Sequence, residues 1–156
     1  MSELARAMNT RSLLTVLLLA TVSIFPAFGD ALTPAVGSPE RKAICDAVCE
    51  HVLTKVAMKK LPMKVVFMTV HLRVDGAWAW FDGNPIQENG DFLPDGYLPD
   101  IDYIMVLQRT KAGWKVVEDQ SRGDVPSQDE VRHIMKKFPG LPLTIMPKVF
   151  RDALGR

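Results

Sequence analysis

An Asp-Gly pair between two runs of strand-forming residues constrains this chain more than any other feature. Asp75-Gly76 separates a run over residues 65–74 from a second run over residues 77–81. Asp-Gly is typical of two-residue hairpin turns, because both central positions of such a turn need a positive φ. The pattern therefore predicts an antiparallel hairpin in which Val74 lies opposite Ala77.

This register divides the predicted hairpin into two faces, because successive side chains of a strand point to opposite sides. It places Leu72 opposite Ala79 and His71 opposite Trp80. One face is wholly apolar and is expected to pack on a helix: Val66, Met68, Val70, Leu72, Val74, Ala77, Ala79 and Phe81. The other face, called the mixed face below, combines aromatic and polar residues: Val65, Phe67, Thr69, His71, Arg73, Trp78, Trp80 and Asp82.

A helical pattern precedes the hairpin. Ser38 suits an N-cap, and Pro39 suits the first helical position, where no amide donor is needed. Apolar residues then recur at helical spacing, at Ile44, Val48, Val52 and Val56. The spacing predicts a long amphipathic helix of about five turns that ends near Lys60.

The segment after the hairpin is rich in turn signals. Residues 83–100 form a long predicted connection in which Phe92-Leu93-Pro94-Asp95 is echoed by Tyr97-Leu98-Pro99-Asp100. Long loops in small domains are often lids or binding loops, so this stretch is a candidate contact surface. Two further strands are predicted, over residues 102–109 and 114–121, with their register left open.

The C-terminal part carries a capping box. Ser127 followed by Glu130 predicts the start of a short helix that runs to about Phe138. The Pro-containing tail beyond it is too apolar to extend into water and is expected to cover the sheet. The predicted fold is α+β: a long N-terminal helix on a curved four-strand antiparallel sheet, then a short C-terminal helix and an apolar tail, as one domain over residues 38–156.

The N-terminus has the composition of a signal peptide. Arg6 and Arg11 precede an apolar run over residues 12–25, which is shorter than the ~20 residues that span a bilayer. Small residues follow, so cleavage is expected after Gly29 or Ala31. Residues 1–29 are therefore predicted to direct export to the periplasm or the extracellular space, and residues 30–37 to be a flexible lead-in. An uncleaved anchor is the alternative; after cleavage no stable membrane span is expected.

Charge excludes one class of partner. The whole chain has 19 basic and 18 acidic side chains, and the predicted cleavage leaves it close to neutral. Nucleic acid is not an expected partner, because such binding needs a basic surface. The charges are nevertheless segregated: Asp82, Glu88, Asp91, Asp95, Asp100 and Asp102 occur in a stretch without Lys or Arg.

Two cysteines lie on the predicted helix. Cys45 and Cys49 are four residues apart, a spacing that separates their Cβ atoms by ~5 to 6 Å, too far for a usual disulfide. Buried free thiols are favoured over a disulfide or an intermolecular link. His51 is two residues from Cys49 and points elsewhere, so no metal site is predicted, and no cofactor is expected.

Three stretches resemble a group of small exported bacterial proteins whose function is uncharacterised: Gly37 to Ile44, Leu72 to Ala79 and Gly113 to Val117. These proteins are similar in outline to the nuclear-transport-factor-2-like, cystatin-like cone fold. The resemblance implies a long helix wrapped by a curved antiparallel sheet and a core role for the two cysteines. Enzymes of the wider fold, such as ketosteroid-isomerase-like members, use an acid or a His in the cone, but no catalytic motif here matches theirs.

Three functional hypotheses follow. The first is an exported, non-enzymatic binding domain that contacts a small apolar ligand or a protein partner through the Asp-rich loop or the mixed face, with Phe67, Arg73, Trp78, Trp80 and Tyr103 as contact residues. The second is a small isomerase-like or hydrolase-like enzyme that uses His71 and Asp82. The third is a structural homodimer formed through Trp78 and Trp80. For the surface around His71, the interpretation weighed against chemistry is a packed interface covered by the C-terminal tail or a second subunit.

Overall fold

The fold is α+β, with four antiparallel strands and three α-helices among the residues described. The computed structural model describes residues 30–55, 63–99, 101–121 and 127–155. The elements are α1 Pro39–Lys55, β1 Val65–Asp75, β2 Trp78–Gln87, β3 Tyr103–Thr110, β4 Gly113–Asp119, α2 Gln128–Lys137, a 3-10 turn Leu143–Ile145 and α3 Lys148–Ala153. The strands form one sheet in the order β1-β2-β3-β4. The predicted class and the four-strand antiparallel sheet are confirmed.

The described part of the N-terminal helix ends at Lys55, before the predicted end near Lys60. Helix α1 has 17 residues, and its buried stripe consists of Ile44, Val48 and Val52. The Ser38 hydroxyl accepts a hydrogen bond from the Arg41 amide, so the predicted start is confirmed. The long N-terminal helix is not supported, and the predicted turn beyond Lys55 lies outside the described residues.

The first hairpin turns one residue later than predicted. Asp75 pairs with Trp78, so the two central positions are Gly76 and Ala77. Gly76 has a φ of +57°, the left-handed conformation that the turn needs at its first central position. When the turn moves by one residue, each residue of β1 pairs with a residue two positions further along β2. A shift of two preserves the alternation of side chains, so near the turn each face keeps the residues that the sequence predicted for it.

A β-bulge reverses the faces further along β1. The register shifts between Thr69 and His71, so Val70 has no partner on β2 and is 65% exposed. An extra residue in one strand inverts the alternation beyond it. The predicted apolar face is therefore wrong in this half, because Met68 is 47% exposed while Phe67, expected on the mixed face, is buried towards α1.

The sheet is covered on both faces. The helix-side core, between α1 and the sheet, contains Ile44, Val48, Val52, Phe67, Leu72, Ala79, Phe81, Tyr103, Met105 and Leu107. The C-terminal core, between the sheet and residues 127–155, contains Ala31, Trp80, Ile104, Val106, Val131, Ile134, Leu141, Ile145, Met146 and Phe150. Strand β3 supplies both cores in alternation, and its first five residues are all buried.

Residues 127–155, called the C-terminal segment below, lie over the sheet as expected. The capping box of α2 is confirmed: the Ser127 hydroxyl accepts from the Glu130 amide, and the Glu130 carboxylate accepts from the Ser127 amide. The tail is more regular than predicted, since it contains the 3-10 turn and α3. Among the described residues, no helix combines the length and apolar character needed to cross a membrane.

The lead-in is attached to the edge of the sheet. Leu32 exchanges two backbone hydrogen bonds with Val74, both 2.8 Å long, and Ala31 is buried in the C-terminal core. Residues 30–37 were expected to be flexible, but this contact holds their first part against β1.

Gly83 provides a test of the bulged hairpin. A Cβ atom at this position would lie 2.6 Å from the Met68 carbonyl oxygen and 2.9 Å from the Phe81 ring. We predict that Gly83→Ala lowers the free energy of unfolding by about 1 to 3 kcal/mol, because the backbone of β1 must move. Gly140→Ala is the matched control, since its Cβ would meet nothing closer than 3.8 Å. Equal urea midpoints for the two variants would contradict this packing.

Candidate functional site

The two tryptophans of the mixed face are packed against the chain's own C-terminal segment. Trp80 is fully buried, and its ring lies 5.3 Å from that of Phe150 between centroids. Trp78 makes an edge contact with Phe138 at 5.6 Å. The part of the mixed face near the turn is therefore an internal packing surface. The homodimer through these two residues stays a prediction.

His71 and Asp82 are direct cross-strand neighbours. The observed register pairs them, whereas the predicted one placed His71 opposite Trp80. His71 Nε2 lies 2.8 Å from the Ile145 carbonyl oxygen, which can only accept, so Nε2 is the donor of this bond. Burial, then the nearby Asp102 carboxylate, raises the pKa of Asp82, while His71 lowers it. His71 thus fastens the C-terminal segment to the sheet, and the clefts described below are lined by other residues.

The other predicted contact residues lie on opposite faces of the sheet. Phe67 and Tyr103 lie in the helix-side core, with ring centroids 5.6 Å apart. Arg73 stays on the C-terminal side, where its guanidinium donates to the Ala31 carbonyl. The five residues therefore do not form one surface.

A His-Asp-Lys cluster that the sequence did not predict joins α1 to β4. His51 Nε2 lies 3.0 Å from Asp119 Oδ2, and Lys55 Nζ lies 2.8 Å from the same oxygen. The other carboxylate oxygen accepts from the Ser121 amide at 2.9 Å. Burial alone would raise the pKa of Asp119, but these hydrogen bonds outweigh it and lower the pKa to about 2.

The ionised carboxylate determines how the imidazole is oriented. Because the ionised Asp119 carboxylate can only accept, His51 Nε2 is the donor of this bond. The cluster borders a cleft of about 390 Å³ that is also lined by Trp114 and Lys115. The sequence shows that His51 and Lys55 are four residues apart and so share one face of the helix. It does not show that Asp119 faces them, because the orientation of Asp119 depends on a bulge in β4.

The two cysteines are free and partly buried beside another cleft. Cys49 Sγ lies 3.6 Å from the Val65 carbonyl, and burial raises the pKa of both thiols. The cleft, of about 780 Å³, runs between α1 and the start of β1 and includes Leu53 and Phe67 in its lining. Thiols with a raised pKa stay protonated at neutral pH and are poor nucleophiles. Within the ranges that the structure describes, no group of three or more His, Cys, Asp or Glu residues is placed to hold a metal ion.

The predicted connection over residues 83–100 contains an ordered cleft. Strand β2 continues through Asn84 and Pro85 to Gln87, and a tight turn then returns the chain so that Phe92 bridges to Ile86. The cleft, called the loop cleft below, has a volume of about 750 Å³ and is lined by Asn84, Pro85, Phe92, Leu93, Pro94, Asp95, Gly96, Tyr97, Leu98 and Pro99.

Hydrogen bonds within the chain hold the loop cleft in shape. The Gln87 amide donates to the Asp91 carbonyl at 2.8 Å, and the Gln87 side chain donates to the Phe92 carbonyl at 2.8 Å. Asn89 caps the turn through the Asp91 amide at 3.1 Å. Phe92 is nevertheless 82% exposed. The ring of Phe92 is therefore open to solvent and available for contact beside the cleft.

Asp119 provides a test of the cluster between α1 and β4. Its pKa falls from an ordinary 3.8 to about 2 on folding, so ionisation stabilises the fold fully above pH 3.8, and this stabilisation is lost as the pH falls towards 2. We predict that Asp119→Asn costs about 1 to 2 kcal/mol at neutral pH and that the deficit shrinks below pH 3.8. Urea denaturation over this pH range measures it.

Asp152→Asn is the control for that experiment, because its carboxylate belongs to an exposed pair with Lys148 on one helix. Such pairs contribute little, about 0.3 to 0.5 kcal/mol. A deficit for Asp119→Asn that is unchanged between pH 7 and pH 2 would show that the charge of this carboxylate is not what joins the two elements.

Comparison with known proteins identifies no family. No protein-family model, no curated protein and no solved structure matches this chain. The likeness to the cone fold therefore stays a prediction.

Proposed function

We propose that the chain is an exported, non-enzymatic binding domain whose contact surface is the loop cleft. The observation that carries this proposal is the exposed ring of Phe92, which an ordered turn holds beside a cleft large enough for a small ligand or several side chains of a partner. The mixed face, the other candidate surface, is filled by the chain's own residues near Trp80. The enzyme hypothesis has less support, because His71 Nε2 is engaged by a backbone carbonyl.

The export part of the proposal rests on residues 1–29 and on contacts just beyond them. Cleavage after Ala31 would remove a buried residue whose carbonyl accepts from Arg73, whereas cleavage after Gly29 leaves the core whole. We therefore expect cleavage after Gly29. Intact-mass measurement of the protein recovered outside the cytoplasm of a bacterial host tests this: a mature chain that starts at Asp30 supports it, and a full-length chain in the membrane fraction contradicts export.

A fragment screen tests the binding surface directly. Small aromatic and aliphatic fragments are added to the isotope-labelled protein from which residues 1–29 have been removed, and backbone amide shifts are followed by NMR. We predict that the shifts concentrate in residues 84–99. Phe92→Ser is expected to weaken fragment binding about tenfold, because the variant loses the exposed ring that stacks on the fragment.

Val149→Ser is the matched control for this screen. Val149 is also an exposed large apolar residue, 57% accessible, but it lies on α3, outside the loop cleft. This variant should bind the fragments as the natural chain does. Fragments that shift amides elsewhere, or that bind Phe92→Ser equally well, would remove the loop cleft as the contact surface.

A further inference from the structure

The surface around the loop cleft carries several carboxylates that, within the part of the chain that the structure describes, form no ion pair. Between Arg73 and Arg109 the sequence has no Lys or Arg. Glu88 pairs with Lys64 at 2.5 Å. Among the described residues from Asp82 to Asp102, four carboxylates take part in no ion pair: Asp82, Asp91, Asp95 and Asp102.

This charge lies beside the apolar lining of the cleft. Asp95 lines the loop cleft itself, between the two Leu-Pro pairs, and Asp91 immediately precedes the exposed Phe92. Asp102 follows the cleft in the sequence and is exposed. A ligand with negative charge would be repelled here, so fatty-acid anions, nucleic acid and anionic lipid surfaces do not fit.

The remaining lining favours a polypeptide ligand. Phe92 and Tyr97 offer aromatic surface, and Pro85, Pro94 and Pro99 offer flat apolar surface with little conformational entropy to lose. The turn that carries Phe92 is already held by its own hydrogen bonds, so this part of the loop needs little rearrangement on binding. Aromatic and proline surface bordered by acids is complementary to an extended segment that presents apolar side chains next to cations.

From this complementarity we infer that the loop cleft binds an extended protein segment in which Lys or Arg lies next to an aromatic or aliphatic side chain. The inference rests on the proposed function, since it names the partner of the same surface. The apolar side chain of the segment packs beside Phe92, and its cation lies near Asp95. Because these charges border solvent, binding weakens as salt is added.

Selection from random peptides tests the inference. Displayed peptides of about 12 random residues are selected on the protein without residues 1–29 and counter-selected on Phe92→Ser. The expected winners carry net positive charge and at least one aromatic or aliphatic residue. One winner, made synthetically, should bind Phe92→Ser about tenfold more weakly, and Asp95→Asn about threefold more weakly with a smaller dependence on salt.

Two matched controls and three outcomes complete the experiment. Val149→Ser and Asp152→Asn change an exposed apolar residue and an exposed acid outside the cleft, and both should bind the winner normally. Winners that need Phe92 but are neutral or acidic would overturn the inference and leave the proposed function in place. Winners that bind Phe92→Ser equally well, or a library that yields none, would overturn both.

Discussion

Burial of the sheet on both faces is the constraint on which the rest of this structure depends. Helix α1 covers one face and the C-terminal segment covers the other, so the inner strand β3 is buried from Tyr103 to Leu107. A sheet of this kind has no free face for a ligand near its centre, because both faces already hold packed side chains. The clefts therefore lie around the margins of the sheet, and the loop cleft is one of them.

Two bulges decide which side chains reach each core. In β1 the extra residue at Val70 turns Phe67 towards α1. In β4 the register shifts where Val106 pairs with Glu118 and Leu107 with Val116, so Val117 is the extra residue. As a result Asp119 faces α1, and Glu118 faces α2, where it meets Lys137 at 2.5 Å. Each bulge thus leaves one residue unpaired and turns the side chains beyond it to the opposite face of the sheet.

Local patterns predicted the elements, and long-range packing decided their details. The capping box at Ser127, the start of α1 at Ser38 and the existence of the first hairpin follow from residues close in sequence, and all three are found. The bulges and the His51–Asp119 contact join residues far apart, and strict alternation gave no sign of them. The combination of aromatic and polar residues predicted a site on the mixed face, but Trp80 and His71 instead anchor the C-terminal segment. The turn signals over residues 83–100 did indicate the region of the loop cleft.

The central claim is that the aromatic part of the mixed face is core and not a binding surface. The sequence contains three tryptophans, so Trp78→Phe with Trp114→Phe leaves Trp80 as the sole indole. Fluorescence quenching by iodide and acrylamide measures how far solvent reaches it in the native protein, with the urea-unfolded variant as reference. We predict that native Trp80 is almost unquenched, because residues of the C-terminal segment such as Phe150 cover it. Quenching close to that of the unfolded reference would show an open face and contradict the account.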